Sequence, residues 1–286
     1  MSIRVVTDST CDLSRAEIEQ HGITIIPLYV NIDGQSYRDG VDLQRDEFYA
    51  RLSGCDGQMS TSAPGPGVFV ETYRRLADEG ATSIISLHLS SELSNVCQVA
   101  QMAAQEVPSV PVHVLDSGNI SLATGLAAMV AAEEAAKGSP LPALIQKVRR
   151  FARRSYCYAV LDTVEHLRRS GRVSQIMSTL ATFVQIKPLV GFANGVVSIE
   201  RVRTLRNAMA RLLGKIGQLG NLGRLTVLHT NAPERAESFL QLARELVPAD
   251  ALSAETRLVT PVLCVHLGPG AVGFAATTRS GADSAD

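Results

Sequence analysis

Three times in the first half of the chain an apolar run ends in a cluster of hydroxyl and carboxyl side chains. Ile3–Thr7 meets Asp8, Ser9 and Thr10; the stretch Ser83–Ser94 opens with Ile84, Ile85 and Leu87 and closes on Ser90, Ser91 and Ser94; Val112–Leu115 meets Asp116 and Ser117. Helical apolar spacing follows, most plainly at Val96, Val99, Ala100 and Ala103. Strands alternating with helices imply a parallel sheet covered by helices, and in such sheets ligands sit beyond the carboxyl ends of the strands. A helix start aims unpaired N–H groups outward with a partial positive charge. Hydroxyls beside it complete a cradle for an anionic oxygen, phosphate or carboxylate.

The segments between these runs fill in the first half. Asp12 or Ser14 is placed to cap a helix through about Gln20. Ile23–Val30 reads as a strand in which Pro27 argues for an edge or a bulge. Gln35–Tyr37 reads as a short return strand and Asp46–Leu52 as a helix. In STSAPGPG, Ser60–Gly67, a proline at the first turn favours a helix over Val68–Ala77 and puts Thr61 and Ser62 at its entrance. Helices are expected at about Gly118–Lys137 and Pro140–Arg153.

Beyond Arg154–Tyr156 the pattern changes. Tyr156–Leu161 is a strand and Thr163–Arg169 a short helix. Ile186–Val190 and Val196–Arg203 flank Asn194-Gly195, a strong hairpin signal. Thr204–Ile216 is a helix, Leu225–His229 a strand and Pro233–Leu246 a helix; Arg257–Val262 and Val272–Ala276 read as strands around HLGPG. The expectation is a two-domain α/β chain. Residues 1–154 would form a parallel-sheet α/β domain carrying the cradle, and residues 155–286 an α+β domain with a mixed or antiparallel sheet.

Several classes of function drop out. With 27 Lys and Arg against 28 Asp and Glu, the net charge is −1, which gives no global case for nucleic acid. The five cysteines are scattered without CxxC or Cys/His ligand spacing, which points to reduced thiols in a cytoplasm and no structural zinc. No secretory signal opens the chain, and the most apolar segment, Ala123–Ala136, is interrupted by Glu133 and Glu134. Neither Gly65 and Gly67 nor Gly268 and Gly270 continue to Lys-Ser/Thr, so there is no P-loop. Ser94, His266 and an Asp could be drawn into a triad, but no GxSxG elbow supports a hydrolase. Asp8, Asp12 and Asp116 suit capping and turns better than a metal. The residue types leave His266 open as either an anion ligand or a core histidine, while His88, inside its strand, reads as structural. The arginines Arg168, Arg169, Arg172, Arg201, Arg203 and Arg206 read as a solvated face or a phosphate-facing set.

VTDST, TSAPGPG, the SSELS turn, VLDSG, VEHLRRSGRVS, IKPLV and VHLGPGAVG fall in one order along nearly the whole chain, and in that order they resemble the DegV family of bacterial fatty-acid-binding proteins. The resemblance implies an N-terminal α/β domain, a C-terminal α+β domain and a long-chain fatty acid in a tunnel between them. Its carboxylate would be held by Thr61, Ser94 and His266, with Ser62, Ser91 and Ser117 as secondary candidates. Some members present the acyl carboxylate to a separate ATP-binding kinase subunit, which forms an acyl phosphate. Such a chain is not itself an enzyme, needs no cofactor and touches a membrane at most transiently, to exchange lipid. Arg172 resembles an arginine linked to the kinase partnership or phosphoryl handling, with Arg201 and Arg203 as weaker candidates. The alternatives are a lipid sensor or carrier with no kinase partner, and a Ser/His hydrolase or phosphotransferase using Ser94 and His266. Asn95, Cys97 and Gly65 depart from the family pattern beside the site. Ala123–Ala132 and Ile176–Phe183 are the candidate tunnel walls.

Overall fold

The computed structural model describes residues 2–52, 59–170, 186–193, 195–253 and 255–279. The fold is α/β, with a parallel sheet in the N-terminal part and a mixed sheet in the C-terminal part. In the first sheet β2 (Thr24–Ile26), β1 (Ile3–Asp8), β6 (Ser83–His88) and β7 (Val112–Asp116) lie side by side, all parallel. Their carboxyl ends, and with them the hydroxyl clusters, therefore share one rim. β3 (Tyr29–Ile32), β4 (Gln35–Arg38) and β5 (Met59–Ser62) make a small antiparallel sheet of their own.

Local chemistry sets the element boundaries. Ser14 and Glu17 form a reciprocal capping box at the start of α1 (Arg15–His21), so Ser14 rather than Asp12 is the cap. The single strand expected over Ile23–Val30 is instead two strands in two sheets. Pro27 offers no N–H to a ladder, and the N–H of Leu28 donates to Ser9 Oγ at 3.2 Å rather than to a strand. Following α2 (Arg45–Leu52), α3 (Pro66–Asp78) starts at Pro66 with Gly65 as its N-cap. Thr61 and Ser62 accordingly lie in β5 and not at a helix entrance. α4 (Val96–Gln105) is likewise capped by Asn95 without a side-chain bond, so none of the three serines before it is its cap. α5 (Leu122–Ala136) and α6 (Leu141–Arg153) complete the N-terminal part.

The C-terminal sheet runs β10 (Val196–Val202), β9 (Lys187–Ala193), β8 (Ser155–Val160), β13 (Val272–Thr278), β11 (Leu222–His229), β12 (Arg257–Leu258), antiparallel except for the last pair. Alternation along its strands separates two cores. Cys157, Val190, Phe192, Leu228 and Ala275 face the core shared with the N-terminal part. Val160, Leu189, Val227, Val272 and Phe274 face the other, closed by α8 (Leu205–Leu219) and α9 (Pro233–Arg244). α7 (Glu165–Arg169) follows β8.

The strand expected over Arg257–Val262 is only Arg257–Leu258. Thr260 then takes an extended N-cap conformation, Pro261 occupies the first helical turn, and α10 runs Pro261–Leu267. Pro261 through Val265 are all buried, and a short helix buried on every side carries no periodicity to tell it from a strand.

Candidate functional site

The rim of the parallel sheet is largely spent on holding itself together. Asp8 is fully buried; its Oδ2 accepts from His88 Nδ1 at 3.0 Å and from the Leu89 N–H at 3.1 Å, and its Oδ1 accepts from Thr10. Burial pushes the Asp8 carboxyl up, but the bonds from His88, Thr10 and Leu89 outweigh it and hold the group below its ordinary value. His88 Nε2 bonds Ser86 Oγ at 2.7 Å, and Ser86 Oγ also meets the Tyr73 hydroxyl at 2.8 Å. Ser86, His88 and Asp8 thus have the connectivity of a catalytic triad. All three are wholly buried, and Tyr73 occupies the remaining side of the serine, so no substrate reaches it. Asp116 Oδ2 accepts from the N–H and hydroxyl of Ser91, and Ser117 Oγ bonds Thr124 Oγ1 at 2.9 Å.

A cavity opens between this rim and the inner face of the C-terminal sheet. It is concave and opens to solvent, the usual form of a small-molecule site. Its walls are mostly apolar, with Leu93, Val190, Phe192, Val262, Leu263 and Leu267 among them. Hydroxyl and imidazole residues named from the sequence line it too, among them Thr10, Thr61, Ser62, Ser94 and His266. Thr61 comes from β5 and His266 from the last turn of α10; Thr61 Oγ1 and His266 Nε2 share a hydrogen bond of 2.8 Å across 205 residues of sequence. Ser94 sits in the turn before α4 and has no hydrogen-bond partner among the described residues.

The turn after α10 keeps this arrangement tight. Gly268 has φ +74°, and a Cβ there would lie 2.3 Å from the His166 ring. The Thr230 hydroxyl donates to the Gly268 carbonyl and accepts from the Ala271 N–H at 2.8 Å. On the sheet face, a Cβ at Gly273 would stand 2.2 Å from the Tyr158 carbonyl. Glycine at 273, with Ala159 and Ala271, makes the floor shallow and leaves room above it.

The other residues named from the sequence lie elsewhere. Ser91 is exposed on Asp116, and Ser117 is buried against Thr124; neither lines the cavity. Arg201 and Arg203 are exposed, in and just after β10. Arg172 lies outside the described residues, as do Ile176–Phe183. Ala123–Ala132 does not line the cavity: Ala123, Ala127, Ala128 and Ala131 are packed into the core of the N-terminal part. Asn95 and Gly65 serve as helix caps, and Cys97 is buried with its thiol toward the carbonyls of Leu89 and Leu115; none of the three lines the cavity. Sequence reasoning missed Leu93, Phe192 and Cys157 in the wall, while Thr10, from the first hydroxyl cluster, does line it. Burial holds the Cys157 thiol protonated, pushing it up to about 12, so it serves as apolar surface. Among the described residues no cluster of His, Cys, Asp and Glu could hold a metal, and no helix is long and apolar enough to cross a membrane.

An apolar cavity with hydroxyls and an imidazole in its wall fits a ligand with a long apolar body and a small anionic head. Comparison with known proteins places the chain. Residues 2–279 match the model of the DegV family of uncharacterised proteins. A DegV domain-containing protein of Streptomyces coelicolor is 36% identical over 283 residues, covering 97% of this chain and 99% of its own. Among solved structures, DegV of Bacillus subtilis, described as a fatty acid binding protein, is 30% identical with a TM-score of 0.88, covering 98% of this chain and 100% of its own. A DegV family protein of Thermus thermophilus, whose structure is described by its fatty acid binding, is also 30% identical with a TM-score of 0.82 over 98% and 100%.

Proposed function

The chain belongs to the DegV family, and on that premise we propose that it holds a long-chain fatty acid in the cavity, with the carboxylate at Thr61, Ser94 and His266. The observation that carries this reading is the Thr61–His266 pair, a hydroxyl and an imidazole 2.8 Å apart in the wall of a cavity that is otherwise mainly apolar. A carboxylate gains charge-assisted hydrogen bonds from such donors. Each methylene it brings out of water contributes about 0.8 kcal/mol. Ser62, next to Thr61 in β5, also lines the cavity and is a secondary candidate donor. The related structures described as fatty acid binding support the choice of ligand.

The two parts of the chain, 1–154 and 155–286, act in this proposal as the two jaws of the site. The change from one sheet to the next between Asp116 and Ser155 supports that division. The finer role is presentation of the carboxylate to a separate ATP-binding kinase subunit, this chain itself catalysing nothing. Exposed Arg201 and Arg203, with Arg172, are the proposed contacts for that partner or for the phosphoryl group. Four buried free thiols among the described cysteines support a cytoplasmic setting. Transient contact with a membrane would serve exchange of the lipid.

The test is organic extraction of the purified protein followed by mass spectrometry. Wild type is expected to yield fatty acid, and Thr61→Ala with Ser94→Ala to yield much less. An extract of wild type without any acyl chain, in protein that also fails to bind added fatty acid, would overturn the proposal. A pull-down from the native host that recovers no ATP-binding subunit would remove the kinase step and leave the lipid-binding step standing.

A further inference from the structure

α10 is short, yet it carries His266, so something outside it must set where that imidazole stands. The three residues that lead into it are each held by a side chain from the N-terminal part. Arg45 Nη1 donates to the Leu258 carbonyl at 2.5 Å, the Tyr49 hydroxyl donates to the Val259 carbonyl at 3.2 Å, and the Thr260 N–H donates to Asp12 Oδ1 at 2.7 Å. Asp12 is wholly buried. Its other oxygen, Oδ2, accepts from the hydroxyl of Ser121, which is the N-cap of α5 and lines the cavity. Ser121 has φ 59° and ψ −149°, a region that residues with a Cβ rarely occupy and that persists only when neighbours enforce it. One carboxylate therefore joins the starts of two helices, α5 and α10, and ties a wall residue of the cavity to the helix that bears His266.

We infer that Asp12 is a positioning residue for the head-group site, acting through Thr260 to set the register of α10 and hence of His266, and through Ser121 to hold the adjoining wall. Ser14, not Asp12, caps the helix that follows in sequence, so local capping does not account for this carboxylate. Arg45 Nη2 stands 3.9 Å from Asp12 Oδ1, and Arg257 donates to the Asp12 carbonyl at 2.9 Å, which keeps the same corner shut. The inference rests on the fatty-acid reading of the cavity.

The test is a double-mutant cycle on the full-length chain stripped of lipid, reading the Kd for a fluorescent fatty acid together with thermal stability. Asp12→Ala is expected to weaken binding by about tenfold or more, and to cost little further once His266→Ala is present, because groups acting through one another are not additive. Asp12→Asn keeps an acceptor for the Thr260 N–H and a donor for the Ser121 oxygen, and is expected to bind within about threefold of wild type. Should Asp12→Ala not fold, the same cycle with Arg45→Met replaces it. That side chain is 28% exposed, and its loss is expected to weaken binding a few-fold, again only when His266 is present. Losses that multiply in the double variants, or a folded Asp12→Ala protein with wild-type affinity, overturn the assignment of Asp12 and leave the lipid-binding proposal intact. Wild-type protein that binds no fatty acid overturns both.

Discussion

Two histidine–hydroxyl pairs stand in this molecule with nearly the same bond length and opposite surroundings. His88 and Ser86 meet at 2.7 Å in a packed interior, with Asp8 behind the ring and Tyr73 beyond the serine. His266 and Thr61 meet at 2.8 Å in the wall of a cavity, brought there from opposite ends of the chain. The first pair has the connectivity of a triad and no access; the second stands where a ligand in the cavity can reach it. Distance alone would rank the first as the functional site. Exposure reverses the ranking, and the first pair reads as the rivet that joins β1 to β6 under the cavity.

The largest effect that would break this contrast comes from the interior pair. His88→Ala leaves Asp8 buried without its ring partner, and loss of one member of a buried pair costs about 3–5 kcal/mol. Chemical denaturation should register that loss, and a near-neutral result would remove the structural reading of the pair. At the cavity, Thr61→Ala and His266→Ala should do the reverse. Each is expected to weaken fatty-acid binding by about tenfold, roughly 1.4 kcal/mol, with stability within about 1 kcal/mol of wild type. Titration with a fluorescent fatty acid and a parallel melt separate the two quantities.

Another buried carboxyl, Asp39, sharpens the comparison through pH. Burial pushes the Asp39 carboxyl up to about 7, and its Oδ2 has no hydrogen-bond partner. The folded protein therefore binds a proton there that the unfolded chain, titrating near 3.8, has already released. Stability attributable to this group falls as pH rises from about 4 to about 7 and stays low above that. Asp39→Asn should raise stability by at least about 1 kcal/mol at pH 8 and leave it nearly unchanged at pH 4. Denaturation curves at the two pH values check the sign. The smallest effect belongs to Ser91→Ala: the serine is exposed on Asp116, so stability should move by about 0.5 kcal/mol or less and lipid affinity not at all. An affinity loss there would bring Ser91 back into the site.

How much of this was legible in the sequence depends on how local the determinant is. The parallel sheet and its polar rim were readable because each strand, each cluster and each helix start lies within about a dozen residues. Pro27 was readable as an irregularity, but not as the point where the chain changes sheets, since that depends on Leu28 donating to Ser9. α10 was mistaken for a strand because burial on all sides erases the period on which the distinction rests. Thr61 and Ser62 line the cavity from β5 and not from a helix entrance, since Gly65 is the cap; that placement depends on strand pairing with β3 and not on the local sequence. The cavity walls were the least legible. They depend on which face of β8, β9 and β13 turns inward and on how small Ala159 and Gly273 are, whereas the apolar composition of Ala123–Ala132 fits a plain core helix equally well, and that is what it is.

The central claim is that the cavity takes a fatty acid with its carboxylate at Thr61, Ser94 and His266. A crystal structure of the lipid-loaded protein tests it most directly. The account predicts elongated density ending within about 3 Å of Thr61 Oγ1, Ser94 Oγ and His266 Nε2. Density whose carboxylate lies at the opposite end of the cavity, with the methyl end against these three side chains, would contradict it.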